Sequence, residues 1–233
     1  MKKLLIPFLI GLMAFLYIFI VPHEPLAVKI TFKLIPMALI IIYAFRHLPH
    51  SPTPAMRLVM TGLFFCMLGD GFIAVSFAAG LGAFLVGHLF YLSGFLKLAQ
   101  TTKRRLAAII PIGLYSLIIG SGLLASLNEK GEHALVGPVV AYMLVISIMA
   151  LSAILTGNRQ AIAGSLLFVI SDSILSWNMF VTDIVYSDVL IMTTYYGAQF
   201  LIASSLASFG KLAGGPAVTT DAVPQNINKK KTF

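Results

Sequence analysis

The chain has 233 residues, 59% of them hydrophobic and 10% charged, with a mean hydropathy of +0.96. A soluble domain is about a quarter charged, so this composition excludes an ordinary soluble enzyme, a disordered chain and a nucleic-acid-binding domain, and leaves an integral membrane protein. The net charge of +8 does not point to nucleic acid, because the basic residues sit at the ends of apolar runs, where topology signals belong.

A spanning helix needs about 20 mostly apolar residues, and eight segments qualify. The first, 4–21, follows Met1-Lys2-Lys3. Val21-Pro22-His23-Glu24-Pro25 behind it offers no small-residue cleavage site, so it reads as a retained helix and not as a signal peptide. Pro22 and Pro25 separate it from the second, 26–46, and Pro49, Pro52 and Pro54 precede the third, 57–77. Ala79-Gly80-Leu81-Gly82 reads as a tight turn into the fourth, 81–100. The fifth spans 106–127, and a polar turn from Asn128 to His133 leads to the sixth, 134–156. Gly157-Asn158 opens the seventh, 159–182, and the eighth covers 188–209. Residues 1–209 are thus expected to form one eight-helix transmembrane domain. Residues 210–233, carrying Lys229-Lys230-Lys231, read as a disordered basic tail in the cytoplasm.

The charges orient this all-α chain. With the N-terminus inside, thirteen of the sixteen Lys and Arg fall on the cytoplasmic side and Lys130 alone falls outside, while Lys29 and Lys33 lie within the second segment. Both termini are therefore expected in the cytoplasm. The short loops and the Met-Lys-Lys start point to a bacterial inner membrane. Cys66 lies in an apolar run, admits no internal disulfide and reads as core packing. Trp177, near an outer helix end, reads as an interfacial anchor.

Ionisable residues inside spans are costly and mark sites by default. Here they are Asp70, Asp172, His88, Lys33 and Lys29. At 1.5 Å per residue, Asp70, Lys33 and His88 are expected about 10 Å below the outer ends of their helices, and Asp172 and Gln199 about 15 Å below theirs. His88 with Tyr91, and Tyr196 with Gln199, are spaced i, i+3 and share helix faces. Tyr195, and Ser171 beside Asp172, complete the polar set, and Gly69 and Gly71 allow close approach to Asp70. Each has a structural alternative: snorkelling for Lys29, pairing with Lys33 for an aspartate, core packing for His88 and the tyrosines, helix–helix contact for Gln199. A faint repeat adds to the pattern, since Gly62 and Gly164 each precede an aspartate by eight residues. Four helices per half would make a parallel repeat that brings Asp70 and Asp172 face to face.

Two buried carboxylates facing one another form an acid–base pair in which one holds a proton while the other stays ionised. No Gly-x-Ser-x-Gly nucleophile motif and no Gly-rich phosphate loop is present. His23, His47, His50 and His133 lie in loops on opposite sides, which excludes a multi-histidine zinc site and leaves only a mixed Asp/His site as a metal reading.

Several motifs in order carry a resemblance. Lys33-Leu34-Ile35-Pro36, Gly69-Asp70, Gly87-His88-Leu89-Phe90-Tyr91, Ser171-Asp172-Ser173-Ile174-Leu175 and Tyr195-Tyr196-Gly197-Ala198-Gln199 together resemble the YhhN family of membrane proteins. The match runs over the second to eighth segments. Gly71-Phe72-Ile73 departs from it conservatively, with Ile where the family has Leu. The resemblance implies an eight-helix enzyme like the family's animal lysoplasmalogenases, which hydrolyse the vinyl-ether bond of lysoplasmalogens to a fatty aldehyde and glycerophospho-ethanolamine or -choline. It implies Asp70 and Asp172 as the catalytic centre. Lys33, Lys29, His88, Tyr91, Tyr195, Tyr196, Gln199 and Ser171 are then expected around a lysophospholipid, with Lys33 or Lys29 at its phosphate. The chemistry needs a general acid, a carboxylate and a water, and neither metal nor cofactor. Two other readings stay open: a proton-coupled transporter or lipid-binding protein using the same aspartates, and a structural protein with a polar core.

Overall fold

The structure, a computed structural model, describes residues 4–22 and 24–213. Among these residues every regular element is helical: α1 (Leu5–Phe19), α2 (Leu26–Arg46), α3 (Pro54–Phe72), α4 (Phe77–Leu96), α5 (Lys103–Leu106), α6 (Ile109–Glu129), α7 (His133–Thr156), α8 (Arg159–Phe180) and α9 (Ser187–Ala213). Among the described residues, seven stretches are long and apolar enough to cross a membrane: α2, α3, α4, Lys103–Glu129, α7, α8 and Ser187–Gly210. The remaining one, α1, is apolar but has 15 residues. Residues 210–213 continue α9; the rest of the expected tail, 214–233, lies outside the described residues.

Local chemistry sets the boundaries. The Thr53 hydroxyl accepts from the Met56 amide at 3.4 Å and Pro54 opens α3, so that helix begins three residues before the expected start. The turn expected at Ala79-Gly80-Leu81-Gly82 is instead helical, within the first two turns of α4. The break falls at Ile73–Ser76, where the Ser76 hydroxyl accepts from the Ala79 amide at 3.4 Å. Gly80 serves packing: a Cβ there would stand 2.6 Å from Cβ of Ile73 at the end of α3. Between α7 and α8, Asn158 accepts from the amides of Gln160 and Ala161 at 3.0 and 3.1 Å, and Gly157 takes φ +70°, the left-handed stop that glycine allows.

The closest-packed pairs are α3 with α4 and α8 with α9. Both rely on glycine. A Cβ on Gly62 would meet the Tyr91 ring at 2.5 Å and the Gly87 carbonyl at 3.0 Å, and a Cβ on Gly164 would meet the Ala198 carbonyl at 2.8 Å. Small residues let backbones approach in this way inside a membrane, where apolar burial against lipid gives little drive. Helix α7 joins the pairs by packing on α4 and α8, α6 lies on α7 and α8, and α1 and α2 close over α9. The central core holds Met37 and Ile40 of α2, Met56, Val59 and Leu63 of α3, Phe95 of α4, and Ile202 and Leu206 of α9, all with no exposed surface.

Candidate active site

Asp70 stands two residues before the last residue of α3, Phe72. That is about 3 Å of helix, and not the expected 10 Å, because α3 ends five residues early. It is nonetheless 1% exposed. Gly69 beside it has the Phe84 ring where a Cβ would go, while Gly71 faces open space. One carboxylate oxygen accepts from the Tyr195 hydroxyl at 2.6 Å. The other is 3.4 Å from Nζ of Lys33, an ion pair with side chains 2% and 15% exposed. Three helices, α2, α3 and α9, thus fix this carboxylate. Lys33 is itself tied down, since its carbonyl accepts from the Tyr196 hydroxyl at 2.8 Å. Pro36, three residues on, removes a helical donor from this stretch of α2.

Asp172 lies eight residues from the end of α8. Its carboxylate accepts a hydrogen bond from the Tyr142 hydroxyl of α7. An aromatic wall joins this end to the Asp70 end. Phe168 meets Tyr195 edge-on at 5.4 Å, His88 meets Phe168 at 4.5 Å, and His88 meets Tyr142 at 5.4 Å.

Asp70 and Asp172 line one cavity of about 710 Å³. Of the other expected site residues, Lys29, Lys33, Ser171 and Tyr195 line it too. Ser171 also donates to the Ile191 carbonyl at 3.0 Å, joining α8 to α9. Tyr196 lines a separate groove of about 360 Å³ between α1 and α9. His88, Tyr91 and Gln199 are wholly buried and are not part of the cavity lining. They form a polar layer one turn N-terminal of Asp70 along α3, beside Cys66, in which the Tyr91 hydroxyl donates to Oε1 of Gln199 at 2.6 Å. The i, i+3 spacing puts each pair on one helix face; the structure bonds Tyr91 of one pair to Gln199 of the other.

Three residues escaped the sequence reading: Tyr142 at the Asp172 carboxylate, and Tyr17 and Asp188 in the cavity lining. Tyr142 is the lone tyrosine of α7, and nothing local shows that a carboxylate 30 residues on accepts its proton. Tyr17 brings α1 to the cavity, and Asp188, in the first turn of α9, brings an acid to its rim. No group of three or more His, Cys, Asp or Glu placed to hold a metal ion occurs among the described residues.

The sequence matches the model of the YhhN family over residues 28–206. It is 28% identical over 207 residues to lysoplasmalogenase TMEM86B of Mus musculus, covering 88% of this chain and 86% of the relative. It is 27% identical over 230 residues to lysoplasmalogenase TMEM86A of Homo sapiens, covering 86% and 87%. With a lysoplasmalogenase of Mycobacterium tuberculosis it shares 27% identity over 177 residues, 71% of this chain and 66% of that one. No solved structure matches. Seven membrane-length helices and a match over most of the chain, spanning the helices that carry Lys33, Asp70, Asp172 and Tyr195, make this protein a member of the YhhN family.

Proposed function

We propose that this chain is a membrane hydrolase that cleaves the vinyl-ether bond of lysoplasmalogens by acid–base catalysis with Asp70 and Asp172. One observation carries the reading: two aspartates from α3 and α8 line the same cavity as Lys29 and Lys33. The names borne by the relatives support the substrate class. The lysines suit a lipid phosphate, the carboxylates suit the bond.

The steps follow from the chemistry of an alkenyl ether. Asp172, held by the neutral Tyr142, is assigned the acid. Its proton goes to the β-carbon, and the double-bond electrons form the new C–H bond, leaving an oxocarbenium ion. Asp70, fixed by Tyr195 and Lys33, is the carboxylate facing that cation. Water adds to the α-carbon and gives a proton to Asp70. The resulting hemiacetal collapses, its hydroxyl proton passing to the glycerol oxygen as the C–O bond breaks. The proton on Asp70 returns to Asp172 through solvent. One water is consumed, and one aldehyde and one alcohol are released.

The same aspartates in a proton-coupled transporter require a polar path to both faces. Beyond the His88–Tyr91–Gln199 layer the buried core is mainly apolar, from Met56 to Leu206, and of the buried Ser165, Ser204 and Ser205 among it the last two donate to carbonyls of their own helix, which favours the hydrolase. The topology belongs to the proposal as well. Helix α1 is taken as the eighth crossing, with both termini in the cytoplasm of a bacterial cell and the cavity mouth on the outer side. Arg46, Arg57, Lys97, Lys103, Arg104, Arg105 and Arg159 at one end against Lys130 at the other support this. The matched glycines Gly62 and Gly164, each eight residues before an aspartate, support a four-plus-four parallel repeat.

Purified protein incubated with lysoplasmenyl-ethanolamine is expected to release free fatty aldehyde, detected by mass spectrometry, and Asp70→Asn and Asp172→Asn are expected to release almost none. A folded wild type that yields no aldehyde overturns the assignment.

A further inference from the structure

A second, smaller pocket adjoins the main cavity at Asp172. It measures about 70 Å³ and lies among α4, α6, α7 and α8. Asp172, Phe84, Ile73 and Leu175 border both spaces. The two spaces differ in character. The main cavity carries Lys29, Lys33, Asp70 and Asp188. In the smaller one, Asp172 is the only Asp, Glu, Lys, Arg or His among the lining residues; Tyr142 hydrogen-bonds to it, and Tyr115 is the other tyrosine in the wall. Four serines also line it, yet each donates to a carbonyl of its own helix: Ser116 to Ile112 at 2.9 Å, Ser147 to Met143 at 2.6 Å, Ser173 to Val169 at 2.7 Å and Ser176 to Ser173 at 3.2 Å. Ser116 and Ser147 also bond to one another across α6 and α7 at 2.8 Å, so the serine hydroxyls are partnered within the protein, and apart from Asp172 and the two tyrosine hydroxyls the wall left to an occupant is apolar.

Asp172 is thus the junction between a large charged chamber and a narrow apolar one. An amphiphile that spans both has its polar–apolar boundary beside this carboxyl group. Resting on the reading of the protein as a vinyl-ether hydrolase, we propose that the α4–α6–α7–α8 pocket holds the hydrocarbon chain of the substrate while the glycerophosphate headgroup occupies the main cavity. In an alkenyl ether the bond to be cleaved lies where headgroup meets chain, so this placement sets the β-carbon at the assigned acid. The groove between α1 and α9 is the competing chain site, but neither aspartate lines it. A chain seated there leaves its head-to-tail boundary away from Asp172. The walls of the smaller pocket, Ser116 on α6 and Ile146 on α7, then determine which chain lengths are accepted.

The test uses the full chain in detergent and two readouts. Ser116→Phe and Ile146→Phe narrow the pocket from opposite walls. The ratio of kcat/KM for an 18-carbon lysoplasmenyl-ethanolamine to that for an 8-carbon one is expected to fall at least tenfold in both. Independently, the wild type is photolysed with a saturated alkyl-ether lysophosphoethanolamine bearing a diazirine at the chain end. The label is expected on α6 and α7. A ratio within twofold of wild type in both variants, or label confined to α1 and α9, overturns the chain site. Label on α6 and α7 from a protein that releases no aldehyde supports the chain site and overturns the hydrolase reading. Should either variant fail to fold, the wild-type label decides.

Discussion

Tyr195 on α9 donates a hydrogen bond to Asp70 on α3 across 125 positions of sequence, at 2.6 Å. The bond fixes one carboxylate oxygen while Lys33 fixes the other. Tyr195→Phe keeps the ring that packs on Phe84 and Phe168 and removes only the hydroxyl. Its expected effect on aldehyde release is a fall in kcat of about 10-fold or more, as for a misaligned catalytic group, with KM within threefold. Steady-state kinetics beside the Asp70→Asn variant checks this. Wild-type kcat in Tyr195→Phe removes the tyrosine from the positioning set.

Tyr142→Phe makes the matching test at the other carboxylate. The Tyr142 hydroxyl is the hydrogen-bond partner of Asp172, and its ring meets His88 at 5.4 Å. Loss of one such bond costs about 0.5–1.5 kcal/mol, so the fold survives and the thermal midpoint in detergent moves little. The predicted loss is in kcat. A Tyr142→Phe variant with full kcat shows that Asp172 needs no orientation from α7.

The ion pair of Lys33 with Asp70 is nearly out of solvent on the carboxylate side. Removing one partner leaves an uncompensated charge, which costs about 3–5 kcal/mol in a buried pair. Lys33→Met is therefore predicted to destabilise strongly. The double variant Lys33→Met/Asp70→Asn is predicted to be more stable than the sum of the two single changes. Unfolding in detergent for all four proteins of the cycle measures the coupling, and additivity within 0.5 kcal/mol, the usual range for independent sites, refutes it.

Glycines that look alike in the sequence differ in the structure. Gly164→Ala brings a methyl to 2.8 Å from the Ala198 carbonyl, and backbone must move to relieve it. The predicted cost is about 1–3 kcal/mol, typical of overpacking. Gly71→Ala, one position from Asp70, meets nothing within 4 Å and is predicted to be tolerated. Thermal midpoints of the pair separate these outcomes; equal shifts contradict the packing described for α8 and α9.

Lys29 lines the cavity together with Lys33. If it meets the lipid phosphate, Lys29→Gln raises KM about tenfold, the effect of losing one charged hydrogen bond, with kcat altered far less. An unchanged KM assigns the phosphate to Lys33 or to no lysine.

The legible parts of this molecule were those where a local cost shows. A charge in an apolar run is expensive, so Asp70, Asp172 and Lys33 stand out, and the structure gathers them at one cavity. Helices α2 and α7 match their expected bounds within one residue because proline, glycine or charge stops them. The turn between α3 and α4 did not show. A glycine that lets helices touch, such as Gly80, reads the same in one dimension as a glycine that turns a chain, and the informative residue was the capping Ser76. Tyr142 was hidden for a related reason: a single tyrosine in an apolar helix is commonplace, and its meaning comes from the carboxylate it touches.

The wholly buried layer beyond Gln199 has one more consequence. Two carboxyl groups within a membrane make up half of a proton wire, and a cell that stores energy as a proton gradient loses it through any complete one. Met56, Leu63, Phe95, Ile202 and Leu206 set wholly buried apolar side chains on the far side of that layer, and the buried Ser204 and Ser205 hydroxyls beside them donate to carbonyls of their own helix. The acid chemistry proposed above is then a cul-de-sac. On the proposed function, water, substrate and protons then enter and leave by the cavity alone, and the membrane stays electrically tight around it.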